Sequence, residues 1–115
     1  MQGFLHYRGT EPPRFAHESE AEVARILDDA GIPWEYEPDT FVLEEADGRV
    51  IEAFTPDFYL PEADVYIECT AMKQSLVSRK NRKVRKLRER GEMVTILYRR
   101  DIERLVELYG RDAAA

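Results

Sequence analysis

The spacing of apolar and polar positions changes period several times along the chain, and the changes mark its elements. From about Glu18 to Ala30 the apolar residues are Val23, Ile26, Leu27 and Ala30, a 3-1-3 spacing that lies on one helical face. Glu18, Ser19 and Glu20 suit the N-terminal end of that helix, and Gly31 followed by Ile32-Pro33 ends it. The 16 residues before it show no period, and Pro12-Pro13 blocks regular structure there. Trp34–Pro38 opens an extended region that Thr40–Leu43 continues. Asp47-Gly48 predicts a tight hairpin, and Arg49–Phe54 returns as a second strand. Thr55-Pro56-Asp57 interrupts that strand before Phe58-Tyr59-Leu60. Pro61–Asp64 reads as a turn and Val65–Thr70 as the clearest buried strand. A long helix is predicted over roughly Met72–Arg90, with Met72, Leu76, Val77, Val84 and Leu87 as its apolar stripe and Gly91 as its stop. Met93–Tyr98 is a continuous apolar run, as a central strand covered on both faces would be. Asp101 is read as the cap of a last helix carrying Ile102, Leu105, Val106, Leu108 and Tyr109. Gly110 ends it, and the tail 111–115 should fray.

The predicted order is α-β-β-β-α-β-α, an α/β domain with a mixed sheet flanked by helices. At 115 residues and 13.4 kDa the chain suits one domain, because two independent cores need more chain. Hydrophobic residues make up 43% of it, enough for a globular core, so wholesale disorder is not expected. No apolar run reaches the ~18 residues of a transmembrane helix, and the N-terminus lacks the pattern of a signal peptide. Cys69 is the single cysteine, which excludes an intrachain disulfide and a Cys-rich zinc site. These features predict a soluble, cytoplasmic protein. His6 and His17 have no metal-ligand spacing, and no P-loop, GxGxxG or Ser-His-Asp arrangement is present.

Charge alters this picture. The formal net charge is −6, which by itself argues against a polyanion partner. Its distribution is lopsided: residues 1–72 carry 4 Lys/Arg and 17 Asp/Glu, and residues 73–115 carry 13 Lys/Arg and 6 Asp/Glu. Between Lys73 and Arg90 there are 9 basic residues against one acid, Glu89. Such a block would dock on a polyanion; the alternatives are pairing with the acidic half or a solvated helix face.

Two acids stand in apolar company: Asp57 just before Phe58-Tyr59-Leu60, and Glu68 after Val65-Tyr66-Ile67. Desolvating a carboxylate is costly without a partner, and a hard divalent cation is one such partner. If the two segments are antiparallel neighbours, both side chains converge at one end of the sheet. A solvated strand face is the other reading.

Here the chain resembles the PD-(D/E)xK nuclease superfamily. Pro56-Asp57 stands where that family has its PD, and Glu68-Cys69-Thr70 where it has (D/E)-x-K. The helix bearing Glu20, followed by Gly31-Ile32-Pro33-Trp34-Glu35-Tyr36-Glu37-Pro38, is similar to the opening of small stand-alone members. The resemblance covers about Phe15 to Tyr98. It implies a restriction-endonuclease-like αβββαβ core with a four-stranded mixed sheet and an extra C-terminal helix. It also implies Mg²⁺ (or Mn²⁺) held by Asp57, Glu68 and the main-chain carbonyl of Cys69, with Glu20 binding through water or completing a second position. Thr70 departs from the pattern, since the family's lysine belongs there. Either the lysine is displaced or catalysis is lost. Lys73, just past Thr70, and Lys80, on the apolar stripe of the basic helix, are the candidates for a displaced lysine, with Lys73 ranked first. Arg79, Arg82, Lys83, Arg85, Lys86, Arg99 and Arg100 would contact phosphates. The expected function is a metal-dependent endonuclease acting on DNA, RNA not being excluded. The alternative is an inactive nucleic-acid-binding module on the same fold. By analogy with family members, a homodimer is compatible with either.

Overall fold

The computed structural model of the chain describes residues 3–70 and 78–110. Helix α1 spans Glu18–Asp29 and buries Val23, Ala24 and Leu27, and Gly31 follows at φ 74°, where a left-handed backbone favours glycine. Strand β1 is only Glu35–Tyr36. Strands β2 (Phe41–Ala46) and β3 (Arg49–Phe54) form a hairpin whose turn residues, Asp47 and Gly48, both have positive φ, 53° and 74°. Strands β4 (Phe58–Leu60) and β5 (Val65–Cys69) lead to helix α2 (Ser78–Glu89), strand β6 (Val94–Leu97) and helix α3 (Arg99–Leu105). A π-helical turn over Val106–Gly110 closes the described chain.

The result is a mixed α/β fold with a four-stranded sheet in the order β1-β4-β5-β6 and a separate two-stranded sheet, β2-β3. The β1–β4 and β4–β5 pairs are antiparallel, and β5–β6 is parallel. Side chains alternate between two cores. Phe58, Cys69 and Leu97 face one with Val23, Ala24, Leu27, Trp34 and Ile102. Tyr59, Tyr66, Val94 and Ile96 face the other with Leu43, Phe54, Val84 and Leu87. Helices α1 and α3 therefore cover one face, and α2 with the hairpin covers the other. No helix among the described residues is long and apolar enough to cross a membrane.

Four expectations change. The first extended region is two elements, because the chain turns at Glu37 (φ 47°) and Pro38 has no N–H for a ladder. β1 therefore pairs with β4, while β2 pairs with β3 in a sheet of its own. The apolar run at β6 lies at the sheet edge rather than its centre: it reports cover above and below, not neighbours on both sides. Asp101 is the third residue of α3 rather than its cap, and its Oδ2 accepts the Tyr98 N–H at 2.9 Å. Leu108 and Tyr109, expected in the last helix, lie in the π-helical turn that follows α3 and are exposed. The aperiodic N-terminal segment is held in place: the N–H groups of Leu5 and His6 donate to Asp28 at 3.0 and 2.7 Å. The Trp34 indole donates to the same carboxylate at 3.2 Å. Residues 71–77, the expected start of the basic helix, and the tail 111–115 lie outside the described residues.

The hairpin is docked by basic residues of α2 and by Arg90 just past its end. Glu52 accepts from Arg82 at 2.7 Å and from Lys86 at 2.8 Å. Lys83 donates to the Ala53 carbonyl at 3.1 Å, and Arg90 to those of Val42 and Leu43 at 2.7 and 3.2 Å.

Candidate active site

The β4–β5 register places Phe58 opposite Ile67, so the residue before β4 and the residue after Ile67 meet at one end of the pair. Those residues are Asp57 and Glu68, and alternation puts both on the face covered by α2. They are joined reciprocally through the backbone. The Cys69 N–H donates to Asp57 Oδ2 at 2.7 Å, and the Asp57 N–H donates to Glu68 Oε1 at 3.1 Å. Each carboxylate thus has one oxygen fixed by the neighbouring strand and one left over.

The leftover oxygens define the site. Glu68 Oε2 is 2.8 Å from Lys80 Nζ, which also donates to the Cys69 carbonyl at 3.3 Å. Asp57 Oδ1 has no described hydrogen bond. Glu20 enters from α1, buried at 4% exposure. Its Oε1 accepts from the Tyr36 hydroxyl at 2.6 Å and from the Ala16 N–H at 3.1 Å. Thr70 is buried at 3% and its N–H donates to the Leu97 carbonyl, extending the β5–β6 pairing.

The electrostatics follow from this crowding. Burial, then the charge of Glu68, pushes the Asp57 carboxyl up to about 8, with Glu20 adding to the rise and the Cys69 N–H and Lys80 opposing it. Glu68 is raised by burial and by Glu20, while Lys80 and the Asp57 N–H pull it back. Burial, helped by the three acids, also raises the Cys69 thiol, which makes it a poor nucleophile. Three carboxyl groups thus share one ammonium among the described residues, and the cluster is short of positive charge.

That shortage bears on a metal. Among the described residues no three His, Cys, Asp or Glu side chains lie close enough together to hold one ion. The oxygens nearest one another by their described bonds are Glu68 Oε2 and the Cys69 carbonyl, both touching Lys80, with Asp57 held by the Cys69 N–H. All three are hard oxygens of the kind that Mg²⁺ or Mn²⁺ takes, while the described bonds of Glu20 go to Tyr36 and Ala16.

The other expected site residues divide. Lys73 lies outside the described residues. Arg82, Lys83 and Lys86 are engaged in docking the hairpin. Arg79, Arg85, Arg99 and Arg100 are exposed and make no described hydrogen bond or ion pair. Tyr36, which bonds Glu20, was missed as a site residue. Its role depends on the β1–β4 pairing that sets it opposite Phe58, beside Asp57, and a two-residue strand leaves no periodicity to read.

Comparison of the chain with protein-family models, with curated proteins and with solved structures finds no match.

Proposed function

We propose that the protein is a metal-dependent endonuclease of the PD-(D/E)xK kind, hydrolysing phosphodiester bonds of DNA, with Lys80 in place of the lysine that Thr70 replaces. One observation carries this reading: Asp57 and Glu68, buried and held by the N–H groups of Cys69 and Asp57 respectively, share their cluster with a lysine that touches both Glu68 and the Cys69 carbonyl. The topology supports it. With the β2–β3 hairpin taken as an insertion, α1, β1, β4, β5, α2 and β6 run in the αβββαβ order, with the last strand parallel to its neighbour.

In this reading Asp57, Glu68 and the Cys69 carbonyl would hold Mg²⁺ or Mn²⁺, with Glu20 supporting the site from α1. A bound ion would polarise the scissile phosphate and acidify a coordinated water. Lys80, beside Glu68 and the Cys69 carbonyl, would stabilise the negative charge that builds during attack and orient the water. The strand bonds fix both carboxylates in advance, so little reorganisation accompanies the reaction. Arg79, Arg85, Arg99 and Arg100 contact phosphates and set the position of the backbone without reading bases.

Thr70 favours a second reading, an inactive nucleic-acid-binding module on the same fold. The two separate in one assay. Labelled linear, branched and single-stranded DNA are incubated with wild type and Asp57→Ala in Mg²⁺ and in Mn²⁺. Cleavage by wild type that Asp57→Ala lacks supports the nuclease. Salt-sensitive binding with no cleavage in either metal supports the binding module.

A further inference from the structure

We infer that the cavity between the N-terminal segment and β1 is a subsite for one unpaired nucleobase of the DNA strand, taking guanine in preference to the other bases, a role that rests on the nuclease reading above.

The cavity holds about 440 Å³, within the range of small-molecule sites. Tyr7, Pro12-Pro13 and Tyr36 line it with aromatic and apolar surface, and Glu11, Arg14 and Glu37 are its charged lining. Its walls are built in advance. Tyr7 bridges to Trp34 through the backbone, packs on the Trp34 ring at 4.7 Å, and donates its hydroxyl to the Glu11 carbonyl at 2.6 Å. Gly9 lets this loop close, because a Cβ there would lie 2.1 Å from the Tyr7 hydroxyl. Phe15 packs against the Tyr36 ring edge-on at 5.1 Å.

The cavity adjoins the acid cluster. Tyr36 belongs to both, since its hydroxyl donates to Glu20 at 2.6 Å. Glu37 follows at φ 47°, and its N–H donates to the Asp57 carbonyl at 2.8 Å. Burial, then the charge of Glu20, raises the Glu37 carboxyl, so cavity and cluster share one field. A strand with its scissile phosphate at Asp57 thus has a neighbouring base within reach of the cavity.

The lining selects the ligand. Two carboxylates repel a phosphate and Arg14 repels a cation, so the charges suit a neutral ring that carries both donors and acceptors. The tyrosines and prolines supply surface for that ring to stack on. Guanine matches the polar set best. Its N1–H and N2–H₂ donors suit a carboxylate, and its O6 and N7 acceptors suit an arginine. Thymine has a single donor, flanked by two acceptors that the carboxylates repel. In a duplex the guanine donors are taken up by cytosine, so the base that enters is an unpaired one.

The test uses duplexes with one bulged nucleotide, G, A, C or T, and the fully paired duplex. Binding by the full chain is followed in chelator by fluorescence anisotropy. Wild type is expected to bind the G bulge about tenfold tighter than the T bulge, the size of one bidentate pair. Glu37→Gln and Arg14→Gln, each checked by its thermal melt, should narrow that ratio to about threefold or less. Equal affinity for the four bulges, or a guanine preference that survives both changes, overturns the inference. Cleavage of the same DNAs in Mg²⁺ and in Mn²⁺ separates it from the nuclease reading. Cleavage with no base preference in binding overturns the subsite alone. A guanine preference with no cleavage in either metal overturns the nuclease alone, and failure to bind any of these DNAs overturns both.

Discussion

Replacing Asp57 by Asn should make the metal-free protein more stable, and only at high pH. Burial and the charge of Glu68 push the Asp57 carboxyl from 3.8 up to about 8. Between those values the folded protein holds a proton that the unfolded chain has released. Wild-type stability therefore falls as pH rises from about 4 to about 8; the destabilisation is absent below that window and complete above it. At ~1.4 kcal/mol per unit, holding Asp57 ionised costs the native state on the order of 5 kcal/mol at pH 8. Asn keeps an oxygen to accept the Cys69 N–H but is still a buried polar group, worth about 1–3 kcal/mol against it. The net gain should be about 2–4 kcal/mol at pH 8 and near zero at pH 5, where native Asp57 is already protonated. Urea unfolding of both proteins in chelator at the two pH values measures it. An Asn variant with the same advantage at both pH values, or less stable than wild type at pH 8, would refute the account of a desolvated, repelled carboxylate.

Three further outcomes are expected. Lys86, then Arg82, holds the Glu52 carboxyl down to about 2, a depressed acid whose contribution is complete above 4.5 and lost as pH falls towards 2. In urea titrations Glu52→Gln should be less stable than wild type at pH 6, the gap closing as pH falls through that window, and a gap independent of pH would contradict it. Changing both Arg79 and Arg85 to Gln should weaken DNA binding across all sequences and lower the salt slope by about 1 per contact, with the melting temperature unchanged. Trp34, fully buried and ringed by Phe4, Tyr7, Phe15 and Phe58, should lose about 3–5 kcal/mol of stability on change to Ala, measured by denaturant unfolding.

Much of the fold could be read from periodicity. Helix α1 and its glycine stop, the Asp47-Gly48 hairpin and the strand Val65–Cys69 follow from local pattern. The partnering of strands did not, because pairing is a long-range choice and local pattern reports only which faces are covered. Glu37 and Pro38 detach the hairpin from the main sheet, and nothing nearby in sequence shows where β1 goes instead. The same holds at the site. Asp57 and Glu68 stand out as acids in apolar segments, and the apolar stripe of the basic helix points Lys80 inwards. That Arg82, Lys83 and Lys86 bond the hairpin depends on how β2–β3 folds over α2, 30 or more residues away in the chain. The acidic half thus takes up part of the basic half, and the exposed arginines that remain are fewer than the charge run suggests.

The central claim is that the cluster of Asp57, Glu68 and Lys80 hydrolyses phosphodiesters with a divalent cation. Its most direct test is the single-turnover rate of DNA cleavage in Mg²⁺ by wild type, Asp57→Asn and Lys80→Ala, with folding of each checked by its thermal melt. The account predicts cleavage by wild type, none by Asp57→Asn, and a rate at least about a hundredfold lower for Lys80→Ala, the usual size of a lost acid–base or charge-stabilising group. Cleavage by folded Lys80→Ala at the wild-type rate, or no cleavage by wild type on any substrate, would contradict it.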